Sequence, residues 1–138
     1  MAASFELERW LQNFLNQQNG AAGTVHLLEN GGLRLASAVN IPAAVQQAVS
    51  WVPSGKGMAG LALERRQPIQ TCNLKEDNSG NVRPGAKAVD AQAAVALPIS
   101  DGSDGVRAVV GIAFAKEHEF TPDELEELTV AASTVPVS

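Results

Sequence analysis

No single regular element can hold the stretch WVPSGKGMAGLALERRQPI at residues 51–69. Pro53 and Pro68 each lack a backbone N–H, and each restricts the residue before it. Gly55, Gly57 and Gly60 fall within six residues, and glycine reaches positive φ without steric cost. The stretch therefore predicts an extended piece over 51–53, a tight turn, a helix over 57–66 and a short strand over 68–72. The same glycines spell G-x-G-x-x-G, which cradles dinucleotide phosphates when it lies inside a βαβ unit. Glu76 and Asp77 even stand near the offset of a ribose-binding acid. The competing reading is structural: a turn that needs positive φ, and close approach of the backbone at Gly60.

The rest of the chain favours the structural reading. A helix over 5–18 carries Leu7, Trp10, Leu11, Phe14 and Leu15 at i, i+3, i+4, i+7 and i+8, with Ser4 as its cap and Asn19-Gly20 as its stop. Strands over 24–29 and 33–39 flank Asn30-Gly31-Gly32, a strong hairpin signal because a primed turn needs positive φ. Leu33, Leu35 and Val39 alternate with Arg34, Ala36 and Ala38, as in a half-buried strand. Asn40 is read as the cap of a helix over 41–49, with Pro42 in its first turn and Ile41, Val45, Ala48 and Val49 on one side. Residues 73–90 show no period and exceed the usual loop length.

Strands over 93–99 and 106–115 follow, separated by DGSDG. In the second, Val106, Ala108, Val110, Ile112 and Phe114 share one face, while Val109, Gly111 and Ala113 make the other small and apolar, so both faces are expected to be covered. Thr121, Pro122 and Glu124 form a capping box, with Phe120 and Leu125 as its staple. Leu125, Leu128, Ala132 and Val135 form the buried stripe of the final helix, and Pro136 ends it. The fold class is α+β: a central antiparallel sheet of five to six strands with helices on both faces. The hairpin-paired final strands leave no room for several βαβ units.

Composition narrows the function. At 138 residues the chain fits a single domain over 1–138, with 1–20 as an N-terminal packing or dimerisation helix. A net charge of −5 and one basic pair, Arg65-Arg66, speak against nucleic acid. No basic leader and no run of roughly 18 apolar residues is present, so the expected location is cytoplasmic, away from a membrane. Cys72 is alone, which excludes an internal disulfide and a multi-cysteine metal site. His26 and His118 have no neighbour at ligand spacing, so no metal site is expected.

The run Val52-Pro53-Ser54-Gly55-Lys56-Gly57-Met58-Ala59-Gly60, then Ala62 and Pro68, then Val95-Ala96-Leu97-Pro98-Ile99, Val109-Val110-Gly111-Ile112 and Phe120-Thr121-Pro122-Asp123-Glu124 resembles a GAF domain, the small sensory fold related to PAS. The likeness extends from about Gly23 to Ala132. It implies first and last helices packed on one sheet face, where they often form a homodimer. It also implies a small-molecule pocket on the other face, beneath the two middle helices and the long loop. On that map the candidate ligand-binding residues are Trp51, Met58, Leu61, Thr71, Asn73, Arg83 and Asp90. Trp51 and Met58 would supply apolar wall, Thr71, Asn73 and Asp90 hydrogen bonds, and Arg83 an anion contact.

The implied function is a small-molecule-binding sensory or regulatory module with no catalytic residues and no assigned cofactor. The alternatives are a dimerisation scaffold without a ligand, and an enzyme related to free methionine sulfoxide reductase. Relatives with that activity use several cysteines, and here Ala59 and the Ala86-Lys87 region stand where thiols are expected. Relatives that bind cyclic nucleotides carry Asn-Lys before a Phe-x-x-x-Asp-Glu. This chain has Ala115-Lys116, and its Phe120 spacing is one residue short, which leaves a structural Lys116–Asp123 pair as the expectation.

Overall fold

The computed structural model describes residues 2–71 and 92–136, and side chains from residue 5 onward. The elements run α1 (Ala2–Gln18), β1 (Ala22–Glu29), β2 (Gly32–Val39), α2 (Ala43–Ala48), β3 (Trp51–Pro53), α3 (Gly57–Arg65), β4 (Ile69–Thr71), β5 (Ala93–Ser100), β6 (Val106–Phe114) and α4 (Pro122–Ala132). Six strands form one sheet in the order β3-β2-β1-β6-β5-β4, and every neighbouring pair is antiparallel. With no parallel pair among the described strands, they form no βαβ unit for the glycine motif to serve.

Local chemistry accounts for the joints. Asn19 takes φ 60°, and the Gly20 N–H reaches back to the Leu15 carbonyl at 2.8 Å, which ends α1 in a Schellman turn. Asn30 and Gly31 both take positive φ, at 52° and 80°, between the paired residues Glu29 and Gly32. Two caps differ from expectation. Helix α1 begins at Ala2, so Ser4 lies inside it. Asn40 does not cap α2, whose N-cap is Pro42. Asn40 instead takes φ 59° and donates its side-chain amide to the Ala21 carbonyl at 3.0 Å, tying the end of β2 to the start of β1.

Helices α1 and α4 cover one face of the sheet. Leu7, Leu11, Phe14 and Leu15 are buried there against Val25, Leu97, Val110 and Ile112, so the apolar stripe of α1 is consumed within the chain. Helix α3 covers the other face over Leu33, Val52, Ile69 and Val109, and α2 covers Ala22 through Val45. Two β-bulges shift the expected face pattern. Ala36 is an extra residue on β2, because Val25 pairs with Ser37 while His26 pairs with Leu35. It places Val39 on the α1 side although Leu33 packs beneath α3. Arg107 is the extra residue on β6, so Val106 joins the α3 side while Ala108, Val110 and Ile112 face α1. Its guanidinium donates to the Ser100 and Ser133 carbonyls, both at 2.9 Å, and so ties the bulge to the C-terminal end of α4.

The start of α4 is fixed twice. The Glu124 N–H donates to Thr121 Oγ1 at 3.2 Å, and the Thr121 N–H donates to the Glu124 carboxylate at 2.9 Å. Donation from the Thr121 N–H, helped by His118 at 3.0 Å, holds the Glu124 carboxyl below its usual value. This corner is paired through His118–Glu124, and Lys116–Asp123 makes no such contact. Just before the cap, Gln70 on β4 exchanges two bonds with the Phe120 backbone, at 2.8 and 2.9 Å. Thr121→Ala is expected to cost about 1 kcal/mol in urea denaturation, because the Glu124 N–H loses its acceptor. An unchanged midpoint would show that the Gln70–Phe120 exchange holds the helix start alone.

Candidate functional site

Alternation decides what the sheet offers to its α2–α3 face. From β1 come Ala22, Thr24 and His26, from β5 Ala94 and Ala96, and from β6 Gly111 and Ala113. These strands are adjacent in the order β1-β6-β5, so their small residues form one continuous floor. Val45 of α2 roofs it with Ile41 and Val49 from the helix's two flanks, and so do Lys56, the N-cap of α3, and Gly57, Met58 and Ala59 in its first turn. A cavity of about 140 Å³ remains between floor and roof. Its walls are almost wholly apolar, which is the usual character of a small-molecule site.

The roof is held by backbone geometry. Gly55 has φ 85° and Gly57 has φ 66°, and the Lys56 N–H closes the turn onto the Pro53 carbonyl at 3.2 Å. A Cβ on Gly60 would stand 2.5 Å from the Pro53 carbonyl oxygen, so α3 can approach β3 this closely only with glycine there. Residues 51–69 thus form a turn and a helix that wall a cavity.

His26 is 3% exposed and stands on the cavity face of β1. Its Nε2 donates to the Val49 carbonyl at 2.9 Å, which fastens the end of α2 to the sheet. That bond places the proton on Nε2 of the neutral ring and leaves Nδ1 an acceptor. Nδ1 has no partner among the described residues. Burial lowers the pKa of the ring, outweighing the bond to Val49.

A stability consequence follows from that shift. Below pH about 6.5 the unfolded chain takes up a proton that the native ring resists. Stability is therefore full above that pH, falls as the pH drops through it, and levels off below the native pKa. Urea titrations from pH 7.5 to pH 5 are expected to show this decline in the native chain and a shallower one in His26→Gln. Parallel curves for the two would remove His26 as the cause.

Of the residues singled out from the sequence, Met58 lines the cavity. Trp51 and Leu61 do not line it. Val52 lines it, so its neighbour Trp51 projects to the opposite face, where its ring covers Gly32. Leu61 packs in the apolar cluster beneath α3. Thr71 is buried on β4 opposite Ala94, which does line the cavity. Asn73, Arg83 and Asp90, with Cys72 and the long loop, lie outside the described residues. The floor residues Ala22, Thr24, His26, Ala94, Gly111 and Ala113 were not singled out. The small face of 109–113 is the one signal that points toward them.

Among the described residues no cluster of three or more His, Cys, Asp or Glu side chains could hold a metal ion. No described helix is long and apolar enough to cross a membrane. A curled six-stranded antiparallel sheet with helices on both faces is the α+β architecture of a GAF-like domain. The GAF domain family profile matches residues 7–136, and the chain belongs to that family.

Solved structures agree on the fold. A type II free methionine-R-sulfoxide reductase from Thermoplasma acidophilum superposes with a TM-score of 0.77 at 16% identity, covering 96% of this chain and 89% of that one. The GAF domain region of a putative membrane protein from Geobacter sulfurreducens gives a TM-score of 0.76 at 13% identity, covering 97% and 90%. The second GAF domain of DevS from Mycobacterium smegmatis gives 0.68 at 19% identity, covering 96% and 89%. No curated protein matches the chain in sequence.

Proposed function

We propose that the chain is a sensory or regulatory module that binds a small molecule in the cavity between the sheet and the α2–α3 roof. The carrying observation is the cavity itself. The central strands place Ala94, Gly111 and Ala113 beneath it where larger residues would have closed the core. Membership of the GAF family and a shared fold with a domain of a putative two-component sensor histidine kinase from Sinorhizobium meliloti support the reading. A ligand that tightens the roof would pull on the His26–Val49 bond and on the β1–β2 ladder, which carries strain toward α1 on the far face. The output of such a module passes through its terminal helices, and a cytoplasmic setting suits it.

Met58 makes the test direct, because it is one of two methionines in the chain and borders the cavity. Methyl-labelled methionine gives it a resonance of its own, to be followed with native mass spectrometry of freshly purified protein. A retained small molecule that shifts the Met58 methyl supports binding. A bare mass together with a methyl resonance unmoved by a library of small apolar compounds would sink it.

A homodimer through α1 and α4 is the second reading. Phe5 on α1 and Val130 on α4 are each 64% exposed, which is unusual for large apolar side chains on helices that already fill a core. Light scattering of the native chain and of a Phe5→Glu, Val130→Glu variant tests it; equal masses for both would remove these residues from any interface. The reductase alternative has less behind it. Two reductases share the fold at 16% and 21% identity, and these 138 residues hold a single cysteine.

A further inference from the structure

The cavity's polar features carry the ligand-binding reading one step further, to the chemistry of the ligand, and the inference rests on that reading. Lys56 stands exposed at the edge of the cavity and is the one acid or permanent cation among its described lining residues. It has no ion-pair or hydrogen-bond partner there. Beside it, the first turn of α3 presents Gly57, Met58 and Ala59 to the cavity. Their N–H groups precede the first intrahelical donor, Gly60, whose N–H reaches the Lys56 carbonyl, and no side chain caps them. The positive end of the helix dipole adds to the charge of Lys56. These features favour an anion, and no carboxylate in the described lining opposes one.

The floor supplies an independent observation. Among the described residues Nδ1 of His26 is a buried acceptor without a donor, in a side chain 3% exposed on the cavity face. A buried acceptor left unpaired is costly, and such atoms usually find a partner. Nε2 is already committed to Val49, so the missing partner must bring its own O–H or N–H.

We propose that the cavity takes a small carboxylic acid with a compact apolar body and one hydrogen-bond donor. The carboxylate meets Lys56 and the first-turn N–H groups of α3. The body rests on Ala94 and Ala113, and the donor reaches Nδ1 of His26. A volume of about 140 Å³ suits a body the size of one benzene ring.

Four probes separate the parts: benzene, benzamide, benzoate, and 3- or 4-hydroxybenzoate. Each is titrated by calorimetry and by the Met58 methyl resonance. Benzoate is expected to bind about tenfold tighter than benzamide. The better hydroxybenzoate should gain roughly fivefold more. Lys56→Gln should erase the preference for benzoate and leave benzene unchanged. Varying the probe avoids disturbing His26, whose replacement could loosen α2. If benzene binds but benzoate and benzamide bind alike, or if neither hydroxyl improves on benzoate, the inference falls and the cavity reading stands. If no probe, benzene included, moves the Met58 resonance, both fall.

Discussion

Gly60→Ala is expected to destabilise the domain by about 2–3 kcal/mol, although it replaces glycine with the best helix former inside a helix. Propensity alone would stabilise α3 by up to about 1 kcal/mol. Packing opposes it. The added Cβ would lie 2.5 Å from the Pro53 carbonyl oxygen, and 3.2 Å from the Gly55 nitrogen. Both are backbone atoms, so no side-chain rotation relieves them. The Gly55 N–H also donates to the Gly60 carbonyl at 2.8 Å, which fixes the glycine turn on the helix it precedes. Relief therefore means lifting α3 from β3, opening the apolar cluster of Val52, Ala62 and Ile69 beneath it. The two effects have opposite signs, so a urea midpoint decides between them. A rise in stability would show that the helix can retreat freely, and that Gly60 is not what holds the roof down.

What could be read from the residues was what depends on neighbours in sequence. Asn30-Gly31 announces a primed turn because both positions need positive φ, and no distant contact alters that requirement. Thr121, Pro122 and Glu124 announce a helix start for the same reason. The faces of strands proved less legible. Leu33, Leu35 and Val39 read as one face until the bulge at Ala36 divides them, and Arg107 does the same to Val106. A bulge adds one residue without a fixed residue type, so strict alternation carries no warning of it.

The site shows the same limit more sharply. Trp51, expected as apolar wall, is separated by one step of alternation from Val52, and of the two Val52 reaches the cavity. The floor of a cavity must be built from residues too small to fill it. Ala22, Ala94, Gly111 and Ala113 become a floor only when β1, β6 and β5 lie side by side. That order joins residues about ninety positions apart, and no local pattern encodes it.

Filling that floor is the other large effect. Ala113→Leu is expected to lower the affinity of any cavity ligand by more than about a hundredfold while leaving stability unchanged or raised by about 1 kcal/mol. Ala113 borders the cavity and packs only in the small cluster with Ala22 and Val45, so three further carbons have empty space to enter. A ligand no larger than the cavity must then give up the same space. Ala108→Leu on the same strand is the control. Ala108 is fully buried against α1 and α4, where no space remains, so the same three carbons should cost about 2 kcal/mol or more and leave the cavity open. Paired melts and Met58 methyl titrations with benzene read both quantities from one preparation. Loss of stability at Ala113 would mean that its surroundings are already packed. Unchanged benzene binding in Ala113→Leu would place the ligand elsewhere and end the case for this cavity as the sensory site.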